Sequence, residues 1–321
     1  MKYALALLLS TAALLLLTMP AVFHAAQQSS SDRQQDRASD RAKRSSVTTD
    51  GLSCSRFEWN SDGTSNKAVM RVPISLDGDA YWYQLDTGAD VVIPYGSPKR
   101  KTWSPRGDAV RIPNVRFAGI SFSAILGYPR RDVPDSPSPQ GLHGTVGLEI
   151  LIGHAFVIDF PKQRICLLER PDLPESLKRE ADWSPAEIRH GKLFVDLALN
   201  GKKLDGILYD TGSSSDALDV DLSLWREATG RSGTKDATTH SSGQSWGHQL
   251  EIIGAPASGD LKIGNHVYPR PLMTTVPAQP DTYRTEYRAQ GLLGNALFTG
   301  SIIILDLGAH PSFGIINGGS Q

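Results

Sequence analysis

The sequence has little of what usually announces a function. It holds two cysteines in 321 residues and no Cys-x-x-Cys. That excludes the usual thiol-redox and zinc-ribbon sites, which need thiols paired close in sequence. No His-Glu-x-x-His and no close histidine cluster suggests a metal. Charge of either sign is not in excess, with 33 Lys plus Arg against 34 Asp plus Glu. A near-neutral chain gives no support to nucleic-acid binding, which rests on a surplus of basic residues. Aromatics make up only 7%, so the apolar content lies mainly in Val, Ile and Leu. With 30 Gly and 20 Pro to punctuate it, that content reads as many short strands and turns.

One long hydrophobic run is present, and it is N-terminal. Lys2 precedes the uncharged stretch Tyr3 to Phe23, "YALALLLSTAALLLLTMPAVF". This is the pattern of an export signal, so the body is expected to be periplasmic or extracellular. Cleavage after Ala26 puts His24, and after Ala25 puts Phe23, where a small residue is wanted. The run also approaches the roughly 20 residues that span a bilayer. Residues 1–26 are therefore read as a signal peptide or a membrane anchor. Residues 27–50 contain no Ile, Leu, Phe, Trp or Tyr and are expected to be a solvated linker or removable leader. Cys54 and Cys166 remain in the exported part. An even count in an oxidising compartment permits one disulfide between them, with two buried thiols as the alternative.

After Asp50 the chain repeats itself. The first half carries "AVMRVPISLDGDAYWYQLDTGAD" and the second "GKLFVDLALNGKKLDGILYDTGSSSD". Each reads as a strand, a turn at Asp77-Gly78 or Asn200-Gly201, a second strand, then Asp-Thr-Gly. Asp-Gly and Asn-Gly are strong hairpin signals. The halves also end alike, in "HGTVGLEILIGHAFVIDFPKQRICLL" and "QGLLGNALFTGSIIILDLGAHPSFGII". Both read as Gly-x-x-Gly, a short helix, a buried strand ending in Asp, a turn and a last strand. One duplicated β-rich unit accounts for both. The expected division is an N-terminal lobe at 51–170, a polar, proline-bounded linker at 171–188 and a C-terminal lobe at 189–318.

A carboxylate at the end of a buried strand is costly unless paired. Packing of two such halves about a pseudo-twofold axis brings Asp86 and Asp210 face to face. Two carboxyl groups at close range share a proton. One can take a proton from water while the other donates to a carbonyl oxygen. Gly88 and Gly212 allow close backbone approach, and the hydroxyls of Thr87 and Thr211 can fix the loops.

On these residues the chain resembles the aspartic peptidases. "LDTGAD" is similar to the retropepsin form of the motif and "YDTGSS" to the pepsin form. "GLLGNALF", Gly291 to Phe298, resembles the hydrophobic-hydrophobic-glycine segment that crosses behind each catalytic loop. "GTVGLEIL", Gly144 to Leu151, matches it more loosely. "GLEILIGHAFVIDFPKQRICLL" is similar to bacterial retropepsin-like proteins. The resemblance covers roughly residues 66 to 317. It implies an all-β, two-lobed pepsin/retropepsin-like acid-protease fold and an Asp86/Asp210 dyad that hydrolyses peptide bonds. It implies a protein or peptide substrate, no metal or organic cofactor, no nucleic acid, and a monomeric catalytic unit. A catalytically silent peptide-binding or scaffolding module of the envelope is the rival reading, because fold alone does not fix function.

The chain departs from the pepsin pattern where a first-lobe flap tyrosine belongs. "YGSPKRKTWSPRGDAVRI" offers only Trp103 as the nearest aromatic. "TGRSGTKDATTHSSGQSWGHQLEII" offers a longer candidate flap with Trp246 at its tip. The same loop holds "GQSWG", a match to the Gly-x-Ser-x-Gly elbow without the strand before it and helix after it that the elbow needs. Ser213 follows the second motif where Ala89 follows the first. Its hydroxyl is expected to donate to Asp210, leaving Asp86 with the shared proton. Asp90, Asp216, Asp159 and Asp306 are read as turn or pairing residues, and His143 as a packing residue.

Overall fold

The computed structural model describes residues 48–318, apart from 62, 64, 97–100, 131–140 and 246–247. The expected signal or anchor at 1–26, the linker up to residue 47, and Trp246 lie outside the described residues. About 50% of the chain is strand and 13% helix, so the class is all-β. The strands form one 15-stranded and one eight-stranded sheet. Among the described residues no helix is long and apolar enough to cross a membrane.

Each half begins with a hairpin. Val69–Leu76 (β1) alternates, burying Met70, Val72, Ile74 and Leu76, and pairs antiparallel with Asp79–Leu85 (β2). The turn residues Asp77 and Gly78 sit at φ 55° and 92°, the left-handed pair that a two-residue hairpin turn of matching twist requires. Gly144–Val146 (β3) then lies parallel to β2. A 3-10 turn at Leu148–Leu151 leads into His154–Asp159 (β4) and Arg164–Glu169 (β5). The order recurs. Lys192–Leu199 (β7) pairs with Lys202–Tyr209 (β8), turning at Asn200 and Gly201 with φ 53° and 78°. Gly291–Leu293 (β9) lies parallel to β8. A 3-10 turn at Ala296–Phe298 leads into Ser301–Asp306 (β10) and Ser312–Asn317 (β11).

The closing strands of the two halves pair with each other. β4 runs antiparallel to β10, with Val157 opposite Ile304. Both strands are apolar and buried nearly throughout, as a strand with neighbours on both edges and cover on both faces must be.

The segment 171–188 is not a loose linker. It holds a helix, Glu175–Glu180 (α1), and most of an eight-residue strand, Asp182–Arg189 (β6), which pairs with β11 on one edge and β7 on the other. Leu173, Leu177 and Ala181 recur at helical spacing and are all buried. They pack in a small cluster with Cys166, Val157 and Ile304. A disulfide joins Cys54 to Cys166 across a separation of 112 residues. The last residues of the expected solvated segment are also packed. Thr49 is buried and donates to Asp159 Oδ2 at 2.6 Å, while Asp50 pairs with Lys162 and Arg164. Local composition does not anticipate partners that lie more than a hundred residues away.

Candidate active site

Two strand ends deliver the carboxylates. Asp86 follows β2 and donates its N–H to Val146 O at 3.0 Å, while Asp210 follows β8 and donates to Leu293 O at 3.0 Å. In each half the parallel neighbour, β3 or β9, thus fixes where the acid leaves the sheet.

The threonines lock the loops to each other. Thr87 N–H donates to Thr211 Oγ1 and Thr211 N–H donates to Thr87 Oγ1, both at 3.0 Å. The Thr87 hydroxyl donates onward to Tyr209 O at 2.8 Å. Both threonines are fully buried. The sequence suggests hydroxyls that fix their own loop; here the bonds cross to the opposite one.

The glycines exist for closeness. A Cβ on Gly88 would stand 2.4 Å from Asp210 Oδ2, and one on Gly212 would stand 2.8 Å from Asp86 Cγ. Each carboxyl group therefore lies against the glycine of the opposite loop. Gly212 N–H and Gly88 N–H donate to Asp210 Oδ1 at 2.7 and 3.2 Å, and Ala89 N–H donates to Asp86 Oδ1 at 2.9 Å. The two carboxyl groups lie side by side, since a Cβ on Gly212 would stand 2.8 Å from Asp86 Cγ and 2.9 Å from Asp210 Oδ1. Burial, followed by the charge and hydrogen bond of Asp210, pushes the Asp86 carboxyl well above the usual carboxylate range. The Ala89 N–H and the charge of Lys192 oppose that rise.

Ser213 does not serve Asp210. Its hydroxyl donates to Asp216 Oδ2 at 2.7 Å, a carboxylate three residues on in the same loop. Asp210 receives its bonds from backbone N–H groups instead. Asp216 is thus a loop partner. Asp159 accepts from Lys162 N–H, and Asp306 accepts from Gly308 N–H and pairs with Arg170; both hold turns. His143 packs edge-on to Tyr81 with ring centroids 5.0 Å apart.

Trp103 is not a flap tip. Its side chain is buried in the main core, because the short strand Ser104–Arg106 that follows lays it against the sheet. The second-half hairpin is formed by Thr239–Ser245 and His248–Pro256, with Ser245 opposite His248. Ser245 therefore ends one strand of an antiparallel hairpin, which is the wrong setting for a nucleophile elbow.

Several residues near the pair escaped the sequence reading. Tyr287 closes a π-helical turn, Tyr283–Tyr287. Its hydroxyl is pushed up by burial, then by the charges of Glu286, Asp210 and Asp86. The turn is anchored by acids. Asp221 accepts from the N–H groups of Tyr283 and Arg284, and Asp219 Oδ2 accepts from Tyr283 Oη at 2.9 Å. Burial and the charge of Asp216 push the Asp219 carboxyl up to about 7. The signal of this turn in the sequence is the spacing of the two tyrosines just before "GLLG".

The surroundings of the two acids differ. Phe194 faces Leu208, and Leu208 faces Leu292. At the matching register of the first half Arg71 faces Gln84, and Gln84 faces Thr145. An apolar row thus flanks the Asp210 strand and a polar row the Asp86 strand. Among the described residues no group of three or more His, Cys, Asp or Glu is arranged to hold a metal ion. Compared with known proteins, the chain matches no family model and no curated protein.

Proposed function

We propose that the chain is an aspartic endopeptidase with a two-lobed pepsin/retropepsin-like fold, hydrolysing peptide bonds with water activated between Asp86 and Asp210. The observation that carries this reading is the crossed pair of bonds between Thr87 and Thr211, which holds two half-buried acids against one another. Asp86 keeps the single proton of the pair, for the reasons of burial and charge given above. Asp210 is the base. It takes a proton from water as the oxygen attacks the scissile carbonyl carbon, and Asp86 gives its proton to the carbonyl oxygen. The resulting gem-diol collapses when a hydroxyl proton returns to the carboxylate pair and the amide nitrogen receives one from it. The C–N bond then breaks and the pair is left as it began. General acid–base catalysis of this kind needs no covalent intermediate.

Both acids belong to one chain, which supports a monomeric catalytic unit. The N-terminal apolar run and the Cys54–Cys166 disulfide support an exported, extracytoplasmic setting, where thiols are oxidised. The test is hydrolysis of a mixed peptide library by the purified chain. Wild type should cleave, and Asp86→Asn and Asp210→Asn should each lose about 10²-fold to 10⁴-fold in kcat/KM while keeping the fold. Cleavage that survives either substitution would remove the dyad from the mechanism. Absence of cleavage by wild type across pH 3 to 8 would favour the binding module.

A further inference from the structure

The turn between β6 and β7 crosses onto the first Asp-Thr-Gly loop. His190 and Gly191 take left-handed φ values of 50° and 70° there, so the turn is tight. A Cβ on Gly191 would stand 2.6 Å from Asp90 Cβ, which leaves no space between turn and loop. Lys192, the next residue, is half-buried and donates from Nζ to the carbonyl oxygen of Gly88. Among the described residues this is its one hydrogen bond, and no carboxylate pairs with it directly. A partly desolvated ammonium with only a carbonyl for a partner is costly unless a negative charge nearby offsets it.

Among the described residues the arrangement has no counterpart around Asp210. Phe194 of β7 and Arg71 of β1 occupy matching register positions opposite Leu208 and Gln84. Two residues earlier on each strand, the place of Lys192 is taken in the first half by Val69. Among the described residues, the charged or titratable groups that interact with Asp86 are Asp210 from the loop after β8, Lys192 from β7, Tyr287 from the π-helical turn, and Tyr95, whose hydroxyl bonds Thr145 Oγ1 at 2.9 Å. Arg130 acts on Tyr95. Among the described residues Lys192 is the cation that acts on Asp86, and its charge works against the burial that raises the Asp86 carboxyl.

We propose, resting on the reading of Asp86 and Asp210 as the reacting pair, that Lys192 is a positioning residue of the dyad: its ammonium holds the Gly88 carbonyl in place and supplies the positive charge that lets two closely apposed acids carry one negative charge. The pair works as a monoanion, between its first and second apparent ionisations. A fixed cation lowers both ionisations and so moves that window toward acid. Removing it moves both limbs toward base, by about one pH unit for an opposite charge in so close a setting.

The test separates charge from hydrogen bonding. Carboxyl carbon-13 NMR titration of the pair is followed in wild type, Lys192→Met, Lys192→Gln and Lys192→Arg, with the pH profile of kcat/KM recorded alongside. Met and Gln should both raise the apparent ionisations by about one unit, and Arg should leave them where they are. Gln keeps a donor for Gly88 O, so a Gln variant that titrates like wild type would overturn the charge role. So would a folded Met variant with unmoved ionisations. If Met does not fold, the comparison of Gln with Arg decides. The titration needs no turnover, so a wild type that cleaves no peptide counts against the peptidase reading alone.

Discussion

Replacing Thr87 with valine removes one hydroxyl and keeps the side-chain shape. That hydroxyl accepts from Thr211 N–H at 3.0 Å and donates to Tyr209 O at 2.8 Å. Both partners lie in residues that are essentially fully buried, so no water replaces the lost bonds. Each buried group left unsatisfied costs about 1–3 kcal/mol, and two of them put Thr87→Val about 2–6 kcal/mol below wild type. That is a large part of the roughly 5–15 kcal/mol that keeps a domain folded. The chemistry should suffer as well, because the crossed bonds set the separation of the acids. A displacement of about 1 Å at a reacting centre costs on the order of 10²-fold in rate. Thr87→Ser keeps the hydroxyl and should stay within about 1 kcal/mol and within tenfold of wild type. Urea denaturation gives the stabilities, and kcat/KM on a cleaved peptide gives the rates. A valine variant within 0.5 kcal/mol of wild type, or a serine variant as damaged as the valine, would refute the view that this hydroxyl ties the loops together.

Gly88→Ala should abolish hydrolysis while leaving secondary structure intact, since its Cβ would stand 2.4 Å from Asp210 Oδ2; full activity would show that the loops have room to part. Asp219 has a folded pKa of about 7, raised above the unfolded value of about 4. Its contribution to stability is therefore fully present below that unfolded value and is lost as pH rises through 7. Denaturation midpoints at pH 5 and pH 8 should accordingly fall further in wild type than in Asp219→Asn; parallel falls would exclude the carboxyl as the source. Replacing Cys54 and Cys166 together with alanine opens a loop of 112 residues. The chain-entropy model gives a loss of about 4–5 kcal/mol, to be read from the denaturation midpoint, and an unchanged midpoint would count against that stabilisation.

Much of the scaffold is written locally. Asp77-Gly78 and Asn200-Gly201 each place two consecutive residues at positive φ, which is why two short motifs were enough to locate two hairpins. The buried strands after each Gly-x-x-Gly were legible because unbroken apolar runs need cover on both faces. The acids were legible because a duplicated chain repeats its carboxylate at the same register. Contacts between distant segments were not. The threonine hydroxyls reach the opposite loop, and Lys192 reaches Gly88 from 104 residues away. Ser213 donates to Asp216 and not to Asp210, whose Oδ1 takes backbone N–H groups instead, and a string of residues does not reveal that choice. Trp103 looked like a free aromatic among basic residues, but the core took it. Helix α1 hid in a polar stretch because Leu177 is its one buried residue, with the buried Leu173 and Ala181 lying just outside its ends.

The antiparallel join between β4 and β10 bears on how the chain can be cut. Val157 opposite Ile304 and Ile158 opposite Ile303 lie in the middle of a continuous ladder. A fragment ending after β5 would leave β4 with one open edge, and a fragment beginning at β6 would leave β10 the same. Each edge would be apolar, nearly uncharged and without proline, the composition that recruits further strands from neighbouring molecules. Half-molecules made separately should thus find each other or form aggregates, and should not persist as soluble single halves. The seam that unites the halves is also the place where a prematurely terminated chain becomes a hazard.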